Sequence, residues 1–345
     1  MFIVCGEALF DVFIGAESGR SLHLDAHPGG SPFNVAIGLA RLGQPVSFLG
    51  GLARDMLGDR LLDVLAAEGV GTATVQRFDA PTTLGMVEVG ADGVPRYAFY
   101  GNGAADRLLT VEALPVLDEA VRAIHLGSFA TVVEPVASAL GALVRREREH
   151  RLIAYDPNIR LNVEPAVERW QDKVETLAGL AHFVKISDED AHLLYAGTAD
   201  DALAERWLAA GAKLVVMTRG GAGASAWNAA GRVDVVAPQV RVVDTVGAGD
   251  TFQAASLTWL AENDLLNPDV LAGLDAERVR ALLQFAAHSA AITCSRRGAD
   301  LPRRAEVGAV WEWIAQHATR LGAEGIAVEQ AAGRVLADDA ISARD

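Results

Sequence analysis

Short apolar or β-branched runs alternate along this chain with longer stretches whose apolar residues recur every three or four positions. Residues 2–5, 46–49, 123–126, 152–156, 182–186 and 213–218 predict strands. The Ala-, Leu- and Glu-rich segments 55–67, 134–149, 165–178 and 199–210 between them predict helices. Strands apolar on both faces and separated by helices imply an α/β fold with a mostly parallel central sheet and helices on both faces. Two regions break the rhythm. Residues 82–100 read as two period-2 segments joined around Asp92-Gly93, a hairpin signal, and residues 12–27 lack helical periodicity. A small antiparallel β-sheet standing off the main one accounts for both. It would lie as a lid over the carboxyl ends of the parallel strands, where open α/β sheets bind ligands. The expected organisation is one α/β domain over 1–11, 28–81 and 101–307, a lid over 12–27 and 82–100, and a helical tail over 308–345.

Charge sharpens the problem. There are 45 acidic and 30 basic residues, for a net charge of -15, which argues against nucleic acid as a partner. The basic residues are 27 Arg and three Lys (Lys173, Lys185 and Lys213), so lysine-based grips for a phosphorylated ligand are scarce. Two cysteines, Cys5 and Cys294, make no disulfide framework and are expected as buried free thiols. No run is long and apolar enough to span a membrane, and the opening residues do not read as a signal peptide, so a reducing cytoplasm is expected.

The strongest local signal is Asp244-Thr-Val-Gly-Ala-Gly-Asp250-Thr-Phe, running into the apolar helix AASLTWLAE. Gly247, Ala248 and Gly249 let backbone N–H groups converge, and the helix directs its positive end the same way. Such an anion hole needs no cationic side chain. Asp250 beside it could take a proton from a hydroxyl attacking a phosphoryl group, although an Asp after a glycine turn also serves simply as a helix cap. The second signal is Pro28-Gly29-Gly30-Ser31-Pro32-Phe33-Asn34, where a double-glycine turn precedes a helix that Asn34 would open and Gly43 would end. An amide there could hydrogen-bond sugar hydroxyls or only cap the helix.

Together these segments resemble the paired signatures of the ribokinase-like sugar kinases, the type B phosphofructokinase family. The resemblance runs from Gly6-Glu7-Ala8-Leu9-Phe10-Asp11 to about Pro302, and the wording GEALFD, GGSPFNVA, FYGNGAADR, DPNIR and DTVGAGDTF is similar to bacterial fructokinases. It implies Asp250 as catalytic base, with Gly247, Ala248 and Gly249 as the anion hole. Arg160 would contact substrate or the transferring phosphate. Asp11, Gly30, Asn34, Phe99 and Arg107 would bind the sugar. Lys185, Ser187, Thr218, Arg219, Gly220, Gly223 and Gly249 would bind ATP, with His288 near the adenine. Many members place Asn-x-x-Glu where this chain has Ser187-Asp-Glu-Asp190, which leaves Asp190 to hold Mg²⁺ through water. Asp244 and Val246, with carbonyls near Thr293, Arg296 and Gly298, would hold K⁺. A homodimer is also implied.

The expected activity is phosphoryl transfer from ATP to a primary hydroxyl of fructose. Other acceptors in the same family, chiefly 2-keto-3-deoxygluconate, are the alternative. A sugar sensor on the same scaffold is a non-enzymatic one. A nicotinamide dehydrogenase lacks its motif, since no Gly-x-Gly-x-x-Gly follows the first strand.

Overall fold

The computed structural model describes residues 1–89 and 95–308. The expected turn at Asp92-Gly93 and the tail from 309 onward, with Trp311 and Trp313, lie outside the described residues. In chain order the elements are β1 (Phe2–Cys5), β2 (Leu9–Ser18), β3 (Ser21–Gly29), α1 (Ser31–Arg41), β4 (Val46–Leu49), β5 (Gly51–Ala53), α2 (Met56–Ala67), β6 (Gln76–Phe78), β7 (Leu84–Val89) and β8 (Pro95–Tyr100). There follow β9 (Ala123–Gly127), α3 (Val136–Glu147), β10 (Leu152–Asp156), α4 (Val167–Leu180), β11 (Phe183–Ser187), α5 (Asp188–Leu194), α6 (Asp200–Ala210) and β12 (Leu214–Thr218). The last are β13 (Ala224–Asn228), β14 (Gly231–Val235), α7 (Ala248–Glu262), α8 (Pro268–Ala272) and α9 (Ala276–Cys294).

The main sheet has the order β14-β13-β12-β11-β10-β9-β1-β4. From β12 to β4 every pairing is parallel, and β13 and β14 add an antiparallel edge. Alternate residues of each parallel strand enter different cores. Phe2, Val4, Leu152, Ala154, Leu214 and Val216 pack with α1, α2, α7 and α9, whereas Ile3, Cys5, Ile153, Tyr155, Val215 and Met217 pack with α3, α4 and α6. This period-2 division, with apolar residues on both sides, is why the strands read as continuous apolar runs. It also fixes where chemistry goes. His125, Asp156 and Lys185 share the register of the first set, so they face α7, Asp156 from the carboxyl end of β10 and His125 and Lys185 from the middle of β9 and β11.

A second sheet, of order β3-β2-β7-β8, stands apart from the first. It differs from the all-antiparallel sheet expected: β2 pairs with β7 in parallel, because β2 arrives from β1 and β7 from the far side of α2. Its strands also begin earlier and end later than expected, at Leu9 and Gly29, and the second hairpin starts at Leu84. A two-stranded parallel piece, β5 with β6, was not anticipated.

Candidate active site

The N-terminus of α7 is the junction of the site. Gly247 caps the helix with φ of 77°, and a Cβ there would stand 2.8 Å from the Cβ of Ala299, so both the left-handed turn and the close approach require glycine. Ala248 donates its N–H to the carbonyl of Thr245 at 3.2 Å, which corrects its expected place among the free donors. Among the described residues no backbone acceptor takes the N–H groups of Gly249 and Asp250, two of the four that a helix leaves unpaired at its start. They and the helix dipole form the donor set for an anion.

Asp250 points away from this turn toward α1. Its Oδ1 accepts from the Ser31 hydroxyl at 2.6 Å and its Oδ2 from Asn34 Nδ2 at 2.9 Å. The helix α1 starts at Ser31, three residues before the expected opening, because Pro32 suits the first turn and Gly30 precedes it with φ of 107°. Ser31 and Asn34 therefore sit one turn apart on the face that packs on α7. Ser31 went unassigned in the sequence, although the spacing Ser-x-x-Asn inside the motif carried the signal. Burial pushes the Asp250 carboxyl above its ordinary value, and its hydrogen bonds to Ser31 and Asn34 oppose that. A buried carboxylate held open by two donors can accept a proton from a hydroxyl placed against it.

The far wall comes from the second sheet and the loops beside it. Asp11 on β2 is raised to about 6 by burial, opposed by the nearby Arg160 and aided by Asp250 and in part offset by His27. Its carboxylate is cradled by Gly29 and Gly85, whose would-be Cβ atoms lie 2.5 and 3.0 Å from it. Phe99 meets Phe129 edge-on at 6.5 Å, and the Arg107 guanidinium covers the same Phe129 ring at 5.5 Å. Glu7 and Asp106 are buried behind this wall and raised to about 7 and about 6, in both cases mainly by burial. The Arg160 charge acts on Glu7, Asp11 and Asp190 alike, which places it among the three carboxyls. Neither Glu7 nor Asp106 carried a sequence signal for burial.

On the other side of the α7 N-terminus opens a cavity of about 510 Å³. Its walls bring together Thr218, Gly220, Gly223 and Gly249 of the residues named from the sequence, and add Ala287, Ala290, Ala291 and Cys294 from one face of α9. Four expected nucleotide contacts are not brought to it. His288 lies one position round the helix, where its Nδ1 is bonded to the carbonyl of Gln284 at 2.6 Å. The Arg219 guanidinium is turned to Asp200 and Ser225 and lies 5.8 Å from the Trp227 ring. The Ser187 hydroxyl caps α5 by accepting the N–H of Asp190 at 3.0 Å. Lys185 donates to Asp156 Oδ2 at 2.7 Å, in the buried layer beneath α7. Cys294, expected buried, is half-exposed in the cavity wall, whereas Cys5 is buried.

The cation positions divide similarly. Asp156 Oδ1 is buried without a hydrogen-bond partner, and Asp190 is raised to about 6 by burial and by the Asp156 charge. Two such carboxyls beside the anion turn fit a divalent cation held through water. Asp244 ties its loop to the end of α9, accepting from Val246 N at 3.1 Å and Gly298 N at 2.8 Å. Thr293 is hydrogen-bonded to Thr251 by its hydroxyl at 2.8 Å, and its carbonyl accepts from Arg296 N. The Gly298 carbonyl likewise accepts from Asp300 N at 2.9 Å, so these oxygens are engaged within the loop. No cluster of three or more His, Cys, Asp or Glu suited to a metal occurs among the described residues.

Comparison with known proteins places most of the chain among its relatives. The pfkB family carbohydrate kinase model matches residues 3–305. A fructokinase of Rhizobium leguminosarum bv. trifolii is 38% identical over 280 residues, covering 81% of this chain and 86% of its own. Fructokinase-2 of Solanum lycopersicum is 33% identical, covering 87% and 92%. The crystal structure of a fructokinase with bound ATP from Xylella fastidiosa superposes with a TM-score of 0.80 at 28% identity, over 92% of this chain and 98% of that one.

Proposed function

The chain belongs to the pfkB family of carbohydrate kinases and is an ATP-dependent sugar kinase; from that premise we propose that it is a fructokinase and assign the parts of its site. The observation that carries the assignment is Asp250, buried at the α7 N-terminus and held by Ser31 and Asn34, next to the turn that lines the cavity.

ATP occupies the cavity with its base against the small residues of α9 and its phosphates directed at the α7 N-terminus. Thr218, Gly220 and Gly223 leave room for it without charged contacts. Fructose lies between Asp11, Gly30, Asn34, Phe99 and Arg107, with its primary hydroxyl at Asp250. Asp250 receives the hydroxyl proton as the oxygen attacks the γ-phosphorus and the bond to the ADP oxygen breaks. The N–H groups of Gly249 and Asp250, across the Gly247-Ala248-Gly249 turn, hold the phosphoryl oxygens in place, and Arg160 joins them from the sugar side. Mg²⁺, when held through water by Asp190 with Asp156, supplies charge neutralisation on the nucleotide phosphates. Asp244, Val246, Thr293, Arg296 and Gly298 would hold K⁺ beside the turn. The second sheet, β3-β2-β7-β8, acts as a lid over the α/β body and excludes water. The protein works as a cytoplasmic homodimer.

A panel of acceptors decides the substrate. With ADP release as the readout, fructose is expected to exceed ribose and 2-keto-3-deoxygluconate in kcat/KM by at least about tenfold, a difference of about 1.4 kcal/mol in transition-state binding. Preference for 2-keto-3-deoxygluconate would replace fructose with the sugar acid, and no turnover on any acceptor would leave a sensor.

A further inference from the structure

Lys185 is one of three lysines in the chain, and it is buried, with 4% of its surface exposed. Its ammonium carries three N–H groups, and the hydrogen bond it makes is to Asp156 Oδ2 at 2.7 Å. Above it lies the phosphate-binding turn. A Cβ built on Gly249 would come within 3.1 Å of Lys185 Nζ, and beyond its own stretch of helix it would meet nothing else within 4 Å. The charged and titratable groups around the ammonium come from four elements: Asp156 on β10, Asp190 on α5, Asp250 on α7 and His125 on β9. His125 is buried and held neutral, with Gln253 Nε2 of α7 at 3.3 Å from its Nδ1. A cation is therefore fixed behind Gly249, on the inner side of the helix N-terminus, where water does not screen it.

We propose that Lys185 is a positioning residue: anchored by Asp156, its ammonium supports the Gly249 turn from beneath and adds fixed positive charge behind the anion hole. It acts through that turn on the transferring phosphoryl group and makes no contact with the base or sugar of the nucleotide. The glycine at 249 is then needed for the approach of the ammonium as well as for a phosphate. The inference rests on placing the phosphoryl group at the 247–250 turn, and the experiment separates the two.

Steady-state kinetics with MgATP and fructose would be measured on Lys185→Met, Asp156→Asn, the Lys185→Met/Asp156→Asn pair and Asp250→Asn. Calorimetry would give the affinity of each for ADP–aluminium fluoride with fructose, which mimics the phosphoryl group in flight. Lys185→Met is expected to lose at least about 100-fold in kcat, with both KM values within about threefold of wild type, and to lose affinity for the aluminium fluoride complex by a similar factor. Where the single variant fails to fold because Asp156 is left unpaired, the double variant, which removes both charges, is compared with Asp156→Asn and is expected to be slower by at least about 30-fold. A kcat within about fivefold of its reference, or a slow enzyme that binds the aluminium fluoride complex at full strength, overturns the inference. Asp250→Asn is expected to be nearly inactive while keeping ATP and fructose binding. A wild-type rate there would overturn the placement of the phosphoryl group and the role of Lys185 with it. A slow Asp250→Asn beside a fast Lys185→Met would overturn only the latter.

Discussion

Glu7 has 1% of its surface exposed, its Oε2 has no hydrogen-bond partner, and burial raises its carboxyl to about 7. A carboxyl raised on folding binds its proton more tightly in the native state than in the unfolded chain. Its penalty is absent below the unfolded value of 4.5, grows as pH rises, and is complete above about 7. Glu7→Gln, which is neutral at every pH, is therefore expected to gain stability over wild type between pH 4.5 and 8, by about 2–3 kcal/mol at most. Denaturant unfolding at pH 5 and pH 8 checks this, and a pH-independent difference between the two proteins would show that Glu7 does not titrate in that window. The neighbouring residues show what single positions in a sequence can and cannot reveal. Asp250 and Asn34 were legible because glycine-rich turns precede them and restrict where they can go, whereas Asp11 was reached only through the family resemblance. Arg219 and His288 were not: the Arg219 guanidinium is turned by Asp200, which lies on another element, and the His288 ring folds back on the Gln284 carbonyl one turn earlier in its own helix, leaving the neighbouring alanines to line the cavity. Glu7 reads as a surface acid in the sequence, since nothing local announces that Ser128 and Arg160 will close over it.

The pairing of α1 with α7 is what brings Ser31 and Asn34 to Asp250. It is set by small residues. A Cβ on Gly38 would stand 2.6 Å from Leu301 Cδ2 and 2.8 Å from the Cβ of Ala254 on α7, so the helices meet at a distance that an added methyl cannot share. Gly38→Ala is expected to push α1 off α7, lowering stability by about 1–3 kcal/mol and raising the KM for fructose more than that for ATP. The asymmetry arises because Asn34 lies on α1 while the cavity walls come from α7, α9 and the loops near Thr218. Thermal unfolding and two-substrate kinetics test both parts. An unchanged melting temperature with an unchanged fructose KM would mean that Leu301 yields and that the register of the two helices does not depend on Gly38. The elements themselves were largely readable. The six parallel strands lie within two residues of where their apolar runs place them, because each is buried on both faces and bounded by polar turns. The β13–β14 edge and the β5–β6 pair were not, since short strands with Gly, Ser and Arg carry little periodicity. The parallel β2–β7 pairing also escaped, because register between distant segments is fixed by tertiary contacts and not by either segment's pattern.

The molecule joins two sheets at one site, and its net charge of -15 conceals how that site is built. Asp11, Phe99 and the glycines around them come from the second sheet, whereas Asp250, Arg160 and Lys185 come from the α/β body. The second sheet supplies Asp11 and Phe99 but not Asp250, which is held by Ser31 and Asn34 of α1. Its outer strand β3 is an edge, with residues 21–27 exposed and Leu22 and Leu24 showing 47% and 49% of their surface on one face. Edge strands with unpaired backbone groups and exposed apolar side chains invite a second copy to pair there. The homodimer is therefore expected to form through β3, with sedimentation reporting twice the 36.3 kDa of the chain. Leu22→Lys with Leu24→Lys places like charges opposite one another across such a contact and is expected to give monomers. Because β3 pairs with β2 at Asp11 and His27, loosening this sheet is expected to raise the fructose KM at least about threefold while leaving the ATP KM near its original value. A monomeric wild-type protein at micromolar concentration would remove the dimer, and a double variant that stays dimeric would move the contact to another face. A monomeric variant with an unaltered fructose KM would show that the sheet holds Asp11 in place without its neighbour.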